Sequence, residues 1–236
     1  MLKPYFSLVL ALYNEGPTLE QSLKNIYKSL QKVKKWEVIL VEDGSSDDTL
    51  IRIQKLLPTL KNTKLIQHRE NEGRGKTVSD GIKAAKGIYC GYLDVDLEVS
   101  SEYIPLFIRE LEKGFDVVVG KRFYEKNLNA FSRVLSSKGY QLIVRSLLKL
   151  PIDDTEAGYK FFRREKILPI ISKITEKGWF WDTEICARAY WIGLKISQVP
   201  VLFIRRTDKK STVRLIPDSW DYLIKIYKFR SQNVKQ

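Results

Sequence analysis

The chain has 236 residues and a formal charge of +13, from 41 Lys and Arg against 28 Asp and Glu, and 44% of it is apolar, enough for one large domain with an ordinary globular core. No apolar run approaches the roughly 18 residues of a membrane span, so neither a transmembrane helix nor a secretory signal peptide is expected, and the single histidine, His68, excludes a His-rich metal site and argues against Ser-His-Asp or Cys-His chemistry. The positive charge implies an anionic partner: nucleic acid, an acidic membrane surface or a phosphorylated substrate.

In chain order, the apolar segment Tyr5 to Tyr13 reads as a buried strand, and Pro17 to Val33 as a helix with Leu19, Leu23, Ile26, Tyr27 and Leu30 on one face. Val38 to Val41 is a second strand, Asp47 to Leu57 a helix capped by Ser45, Ser46 or Asp47, and Lys64 to Gln67 a third strand. Thr77 to Ala85 is a helix closed by Gly87, Ile88 to Leu93 a fourth strand, Ser101 to Glu112 a helix, and Asp116 to Val119 a fifth strand. Strands separated by helices predict an α/β fold with a mostly parallel central sheet flanked by helices. The second half is less regular. Ala130 to Leu150 reads as a long basic amphipathic helix, Asp182 to Ile192 as a helix, Lys195 to Ile204 as a strand and Ser219 to Arg230 as a helical basic tail. The expected division is a domain over 1–215 followed by a basic amphipathic helix over 216–236. Cys90 and Cys186 lie in apolar surroundings without metal-ligand spacing, as reduced packing residues of a cytosolic protein do.

The densest chemistry is at the end of the fourth strand, in Tyr92-Leu93-Asp94-Val95-Asp96-Leu97-Glu98. Alternate residues of an extended chain share a face, so Asp94, Asp96 and Glu98 are candidates to converge on one hard cation, whose natural cargo is a diphosphate. The carboxyl ends of strands are where open α/β sheets bind ligands. Two more polar turns fall on the same rim: Ala11-Leu12-Tyr13-Asn14-Glu15-Gly16 and Val41-Glu42-Asp43-Gly44-Ser45-Ser46-Asp47. Asp43 is suited to accept from a base N–H or a ribose hydroxyl. Asn71-Glu72-Gly73-Arg74-Gly75-Lys76-Thr77 contains Gly-Lys-Thr, but Glu70 stands where a phosphate loop needs glycine, and Val78 stands where a dinucleotide fingerprint needs Gly or Ala. What is left is a basic, glycine-loosened loop opening a helix, suited to lie near a nucleotide.

Tyr13-Asn14-Glu15, Val41 to Asp47, Asn71 to Lys76 and Asp94-Val95-Asp96, in this order and spacing, resemble the family 2 glycosyltransferases of the A-type (GT-A) fold. Asp154 to Arg163, then Trp179-x-Trp181-Asp182-x-Glu184 and Val199-Pro200-Val201, resemble the polyprenyl-phosphate sugar synthases, which include dolichyl-phosphate mannose and glucose synthases. The resemblance covers roughly residues 5 to 215. It implies that Ala11, Tyr13, Glu15 and Asp43 hold the nucleoside, with Lys76 and Val95 completing the nucleotide-sugar set. It further implies that Asp94 and Asp96, with Glu98 beside them, hold Mg²⁺ or Mn²⁺ on the donor diphosphate. Glu98 stands where mannose-synthase relatives often carry Gln, which leans the donor away from mannose and towards glucose or another sugar.

The expected reaction is inverting transfer of a hexose from a UDP- or GDP-hexose to a polyprenyl phosphate, by a peripheral protein on the cytoplasmic side of an anionic membrane, with a membrane protein as a further candidate partner. A phosphate acceptor is already anionic, so it needs cations rather than a base. Arg122, Arg133, Arg205 and Arg206 are the candidates, with Lys121 and Lys210 as weaker ones, and Arg122 and Asp182 are the expected catalytic pair. If the acceptor were instead a sugar hydroxyl of a growing glycan, Asp182 would be the base. A nucleic-acid-binding protein would explain the charge but not the carboxylate rim, and a nucleotidyltransferase would need a glycine-rich basic loop where Tyr13 to Pro17 stands.

Overall fold

The computed structural model describes residues 3–124, 144–206 and 215–233. Seven strands form one sheet: β1 (Phe6–Leu12), β2 (Trp36–Asp43), β3 (Thr63–His68), β4 (Tyr89–Leu93), β5 (Val117–Tyr124), β6 (Tyr159–Arg163) and β7 (Ile196–Phe203), in the order β3-β2-β1-β4-β6-β5-β7. Every neighbouring pair is parallel except those made by β6, which runs antiparallel to both β4 and β5. The mostly parallel sheet is therefore as expected from the sequence.

The strands are apolar on both faces because both faces are covered. Leu8, Leu10 and Leu12 of β1 and Val38 and Leu40 of β2 point into one core, which is closed by α1 (Leu19–Leu30) and α4 (Ile104–Glu112). Val9, Ile39 and Val41 point the other way, into a core shared with α3 (Arg74–Ala84), α5 (Arg164–Ile171) and α6 (Trp181–Trp191). The short α2 (Thr49–Leu56) links β2 to β3. The last helix, α7 (Leu215–Asn233), brings Tyr222, Ile226 and Phe229 into a third cluster with Val144, Leu148, Phe180 and Ala187. Ile224 and Tyr227 of the same helix are exposed. Cys90 and Cys186 are buried, unpaired packing residues, as expected.

Three elements differ from the sequence reading. β6 is a strand where only a motif was recognised, since its fully buried Lys160 breaks any apolar pattern in Tyr-Lys-Phe-Phe-Arg. α5 is helical despite an internal Pro169, which removes one backbone donor. α3 starts at Arg74 rather than Thr77, so the basic loop is already the first helical turn. Arg133, Lys210 and most of the expected Ala130 to Leu150 helix lie outside the described residues.

Candidate active site

The carboxyl ends of β1, β2, β3 and β4 make one polar rim, and the first three turns of it are tied to each other. Asn14 adopts a left-handed φ of 56°, one that Asn tolerates. Its side-chain oxygen accepts from the backbone N–H of Ser46 at 2.9 Å, and its own N–H donates to Ser45 Oγ at 3.0 Å. The Glu15 N–H donates to Thr49 Oγ1 at 2.8 Å. Asp43 is buried, and it accepts from the backbone N–H groups of Glu72 (3.0 Å) and Gly73 (3.1 Å), with His68 Nδ1 2.7 Å from Oδ1. Asp43 therefore fixes the β3–α3 loop that carries Arg74. Ala11, next to last in β1, is half-buried, and Tyr13 just beyond the strand is exposed.

The β4 turn differs. Asp94 hydrogen-bonds through its N–H to Gly158 O at 3.0 Å, and a Cβ on Gly158 would lie 1.8 Å from Asp94 Oδ2, so only glycine leaves room for this carboxylate. The chain turns at once, with Leu97 N–H donating to Asp94 O at 3.2 Å and Leu97 itself at φ 56°. A left-handed leucine costs roughly 1–2 kcal/mol, and here it bends the segment so that carboxylates crowd together. Burial first, and then the neighbouring Asp94, push the Asp96 carboxyl up to about 7. Val95 between them turns its side chain into the core. Glu98 Oε1 accepts the Arg206 N–H at 3.1 Å, so the third carboxylate also anchors the chain leaving β7. A small pocket is lined by Asp94, Asp96, Glu98, Val99, Arg122, Gly158 and Phe203.

Among the described residues no group of three or more His, Cys, Asp or Glu is arranged to hold a metal ion by itself. The residues nevertheless fit Mg²⁺ or Mn²⁺ in the way such ions meet diphosphates, held by one or two carboxylates with the remaining ligands from phosphate and water. The glycine cradle around Asp94 and the crowding of carboxylates around Asp96 suit a hard cation at that pair.

Behind the rim lies a buried charge network. Asp182, at the first turn of α6, is only 2% exposed. It accepts from Lys160 Nζ at 2.6 Å, from Arg74 Nη1 and from the Tyr92 hydroxyl. Burial alone would push Asp182 up, but Arg74 and Lys160 hold its carboxyl below the usual range. Burial and Asp182 push the Tyr92 hydroxyl well above its ordinary value. Lys160 also donates to Ala157 O at 2.5 Å. Arg74 Nη2 reaches Asp94 Oδ1 at 2.6 Å, and the guanidinium lies 5.4 Å from the Tyr92 ring centroid and 5.3 Å from that of Trp179.

Arg122 is held by Asp154 in a bidentate pair, Nε to Oδ2 at 2.7 Å and Nη2 to Oδ1 at 2.9 Å, while still lining the carboxylate pocket. Arg205 is exposed beside it in sequence to Arg206, just after β7. Lys76 turns away to pair with Asp80 on its own helix. The residue of that loop that enters the site is Arg74, and Arg74, Lys160, Tyr92 and Gly158 are functional candidates to which the sequence reading gave no role. Lys160 and Gly158 did sit inside a recognised motif, but only the fold brings them to their partners, Asp182 and Asp94.

Residues 7–168 match the family model described as Glycosyl transferase family 2. The chain is 28% identical to a dolichyl-phosphate beta-glucosyltransferase of Dictyostelium discoideum, over 96% of this chain and 77% of that protein. It is 27% identical to glycosyltransferase AglD of Haloferax volcanii, over 86% of this chain but 34% of that protein, so it spans about a third of that relative's length. Among solved structures, glucosyl-3-phosphoglycerate synthase from Mycobacterium tuberculosis, in complex with Mn²⁺, UDP-glucose and phosphoglyceric acid, aligns with a TM-score of 0.72 at 18% identity, covering 97% of this chain and 80% of that one. The sheet with its flanking helices is the GT-A fold.

Proposed function

This chain belongs to glycosyl transferase family 2, and we propose that it transfers a hexose from a nucleotide-sugar to a polyprenyl phosphate at a membrane surface, with inversion at the anomeric carbon. The observation that carries the choice of acceptor is the state of Asp182. A general base needs an accessible oxygen and a pKa near the working pH. Asp182 is buried, accepts from three side chains, and is held low by Arg74 and Lys160 after the opposing effect of burial. It is a poor base and a good counter-ion. A phosphate acceptor needs no base: its oxygen forms the bond to the anomeric carbon, the bond to the diphosphate oxygen breaks, and no proton has to leave.

The rest of the rim has matching roles. Ala11, Tyr13, Glu15 and Asp43 would hold the nucleoside. Asp94 and Asp96 would hold Mg²⁺ or Mn²⁺, which when bound neutralises charge growing on the leaving diphosphate. Arg122 of β5, with Arg205 and Arg206 just beyond the strand β7 that pairs with it, would attract the acceptor phosphate. No helix among the described residues is long and apolar enough to cross a membrane. Exposed Phe123, Leu202 and Ile204, on and after the paired ends of β5 and β7 and next to Lys121 and Arg205, would suit peripheral contact on the cytoplasmic side. The relative named as a dolichyl-phosphate beta-glucosyltransferase supports the same acceptor class and favours glucose.

The test is to incubate the purified protein with Mn²⁺ or Mg²⁺, a short polyprenyl phosphate and, separately, radiolabelled UDP-glucose and GDP-mannose, with Asp96→Ala as control. Metal-dependent label in the lipid phase, absent in the variant, is the expected result and names the donor. Donor binding or slow hydrolysis without lipid labelling would move the acceptor to a hydroxyl.

A further inference from the structure

We propose that Arg74 couples the divalent cation to the donor, by contending with the cation for Asp94 and taking the donor's diphosphate as its alternative partner. This rests on the proposed reading of the rim as a cation–diphosphate site and adds a residue and a coupling between the two ligands to it.

The argument begins at Asp94 Oδ1. Arg74 approaches that oxygen with Nη2 at 2.6 Å and Nε at 3.3 Å. The other oxygen, Oδ2, lies against the Gly158 backbone, where there is no room for even a Cβ, and the Asp94 N–H is bonded to Gly158 O. Asp94 is therefore pinned, and a cation that uses Oδ1 must share it with a guanidinium. Two cations on one carboxylate oxygen repel, so Arg74 weakens cation binding on its own.

Arg74 has somewhere else to go. Its second partner, Asp182, keeps Lys160 and Tyr92 as donors if Arg74 leaves, so departure strands no buried charge. The guanidinium lies close to the rings of Tyr92 and Trp179, and Trp179 is half exposed, which gives the planar group an apolar track to the rim. A diphosphate brought to Asp94 and Asp96 presents the anionic oxygens that guanidinium groups bind in bidentate fashion. The cation then gains Asp94 in full, and the donor gains Arg74. Coupling between two ligands is reciprocal and typically ranges from about 5-fold to 150-fold. Lys76 cannot substitute, because it is paired with Asp80 on the same helix.

The experiment is calorimetric titration of the full chain with Mn²⁺ alone, with UDP or GDP alone, and with Mn²⁺ at saturating nucleotide, for the wild type, Arg74→Gln and Arg74→Lys. Asp96→Asn is the reference for loss of the site. In Arg74→Gln, Mn²⁺ alone is expected to bind several-fold tighter, nucleotide alone more weakly, and the mutual enhancement to fall on the order of tenfold. Arg74→Lys, which keeps the charge without the planar fork, is expected between the two. A purely structural role for Arg74 would not tighten Mn²⁺ binding. Unchanged or weaker Mn²⁺ binding in both folded variants, with enhancement as in the wild type, would overturn the coupling while leaving the site intact. A wild type that binds no Mn²⁺ with either nucleotide, or Asp96→Asn that binds it equally well, would overturn the reading of the site itself and the coupling with it.

Discussion

Asp182 and Asp96 live in opposite electrostatic surroundings. Asp182 has three cationic and hydroxyl donors on its two oxygens, and its carboxyl is held low against burial. Asp96 has carboxylate neighbours, and burial and Asp94 push it up to about 7. One charge is balanced within the protein; the other, in the proposed reading, is balanced by the cation it would hold. That asymmetry predicts different failures when each is removed.

Asp182→Ala should break the internally balanced side. It leaves Lys160 buried and unpaired, at a cost of about 3–5 kcal/mol, so the melting temperature should fall by roughly 10 °C. Combining it with Lys160→Met should cost clearly less than the two single changes added together, because they share one interaction. If Asp182→Ala instead melts like the wild type and loses only transfer, Asp182 is a base and not a counter-ion.

Asp96→Asn should break the other side and spare the fold. Transfer is expected to drop by about 10²–10³, as when one preorganised charge stabiliser is lost, with the melting temperature unchanged or higher because like charges no longer crowd. Gly158→Ala sharpens the same point more gently. Its Cβ would lie 1.8 Å from Asp94 Oδ2, so Asp94 must shift, and a displacement of about 1 Å is expected to lower transfer by up to about 100-fold, with weaker Mn²⁺ binding measured directly.

The smallest effect is on pH dependence. Burial, in spite of Arg122, pushes Glu156 from its ordinary 4.5 up to about 7. The folded state therefore holds this proton more tightly than the unfolded chain. Its contribution to stability is present below 4.5 and is lost as pH rises through about 7. Melting temperatures measured across that range should decline with pH in the wild type and more shallowly in Glu156→Gln; equal slopes would remove Glu156 from the account.

The first half of the chain was legible because its strands bury both faces and end in recognisable turns. Leu8, Leu10 and Leu12 fill one core while Val9 fills the other, and this leaves an unbroken apolar run in the sequence. β6 was not legible, since a buried lysine at the second of its five positions has no local explanation. Only the fold brings Lys160 to Asp182, 22 positions away. The choice between Arg74 and Lys76 was equally closed to inspection. Two residues apart on a helix differ by about 200° in direction, and only the position of α3 on the sheet decides which one meets the carboxylates. Asp43 was recognisable as a rim residue, but its bonds to the Glu72 and Gly73 N–H groups depend on how the β3–α3 loop folds back over β2.

The most direct measurement offers the wild-type protein two acceptors that differ in one group, a short polyprenyl phosphate and the corresponding polyprenol, with the preferred labelled nucleotide-sugar and Mn²⁺. The account predicts transfer to the phosphate and none above background to the alcohol, because Asp182, buried and held by Arg74, Lys160 and Tyr92, is not free to take the alcohol's proton. Transfer to the alcohol at a comparable rate would contradict it, and would return Asp182 to the role of base.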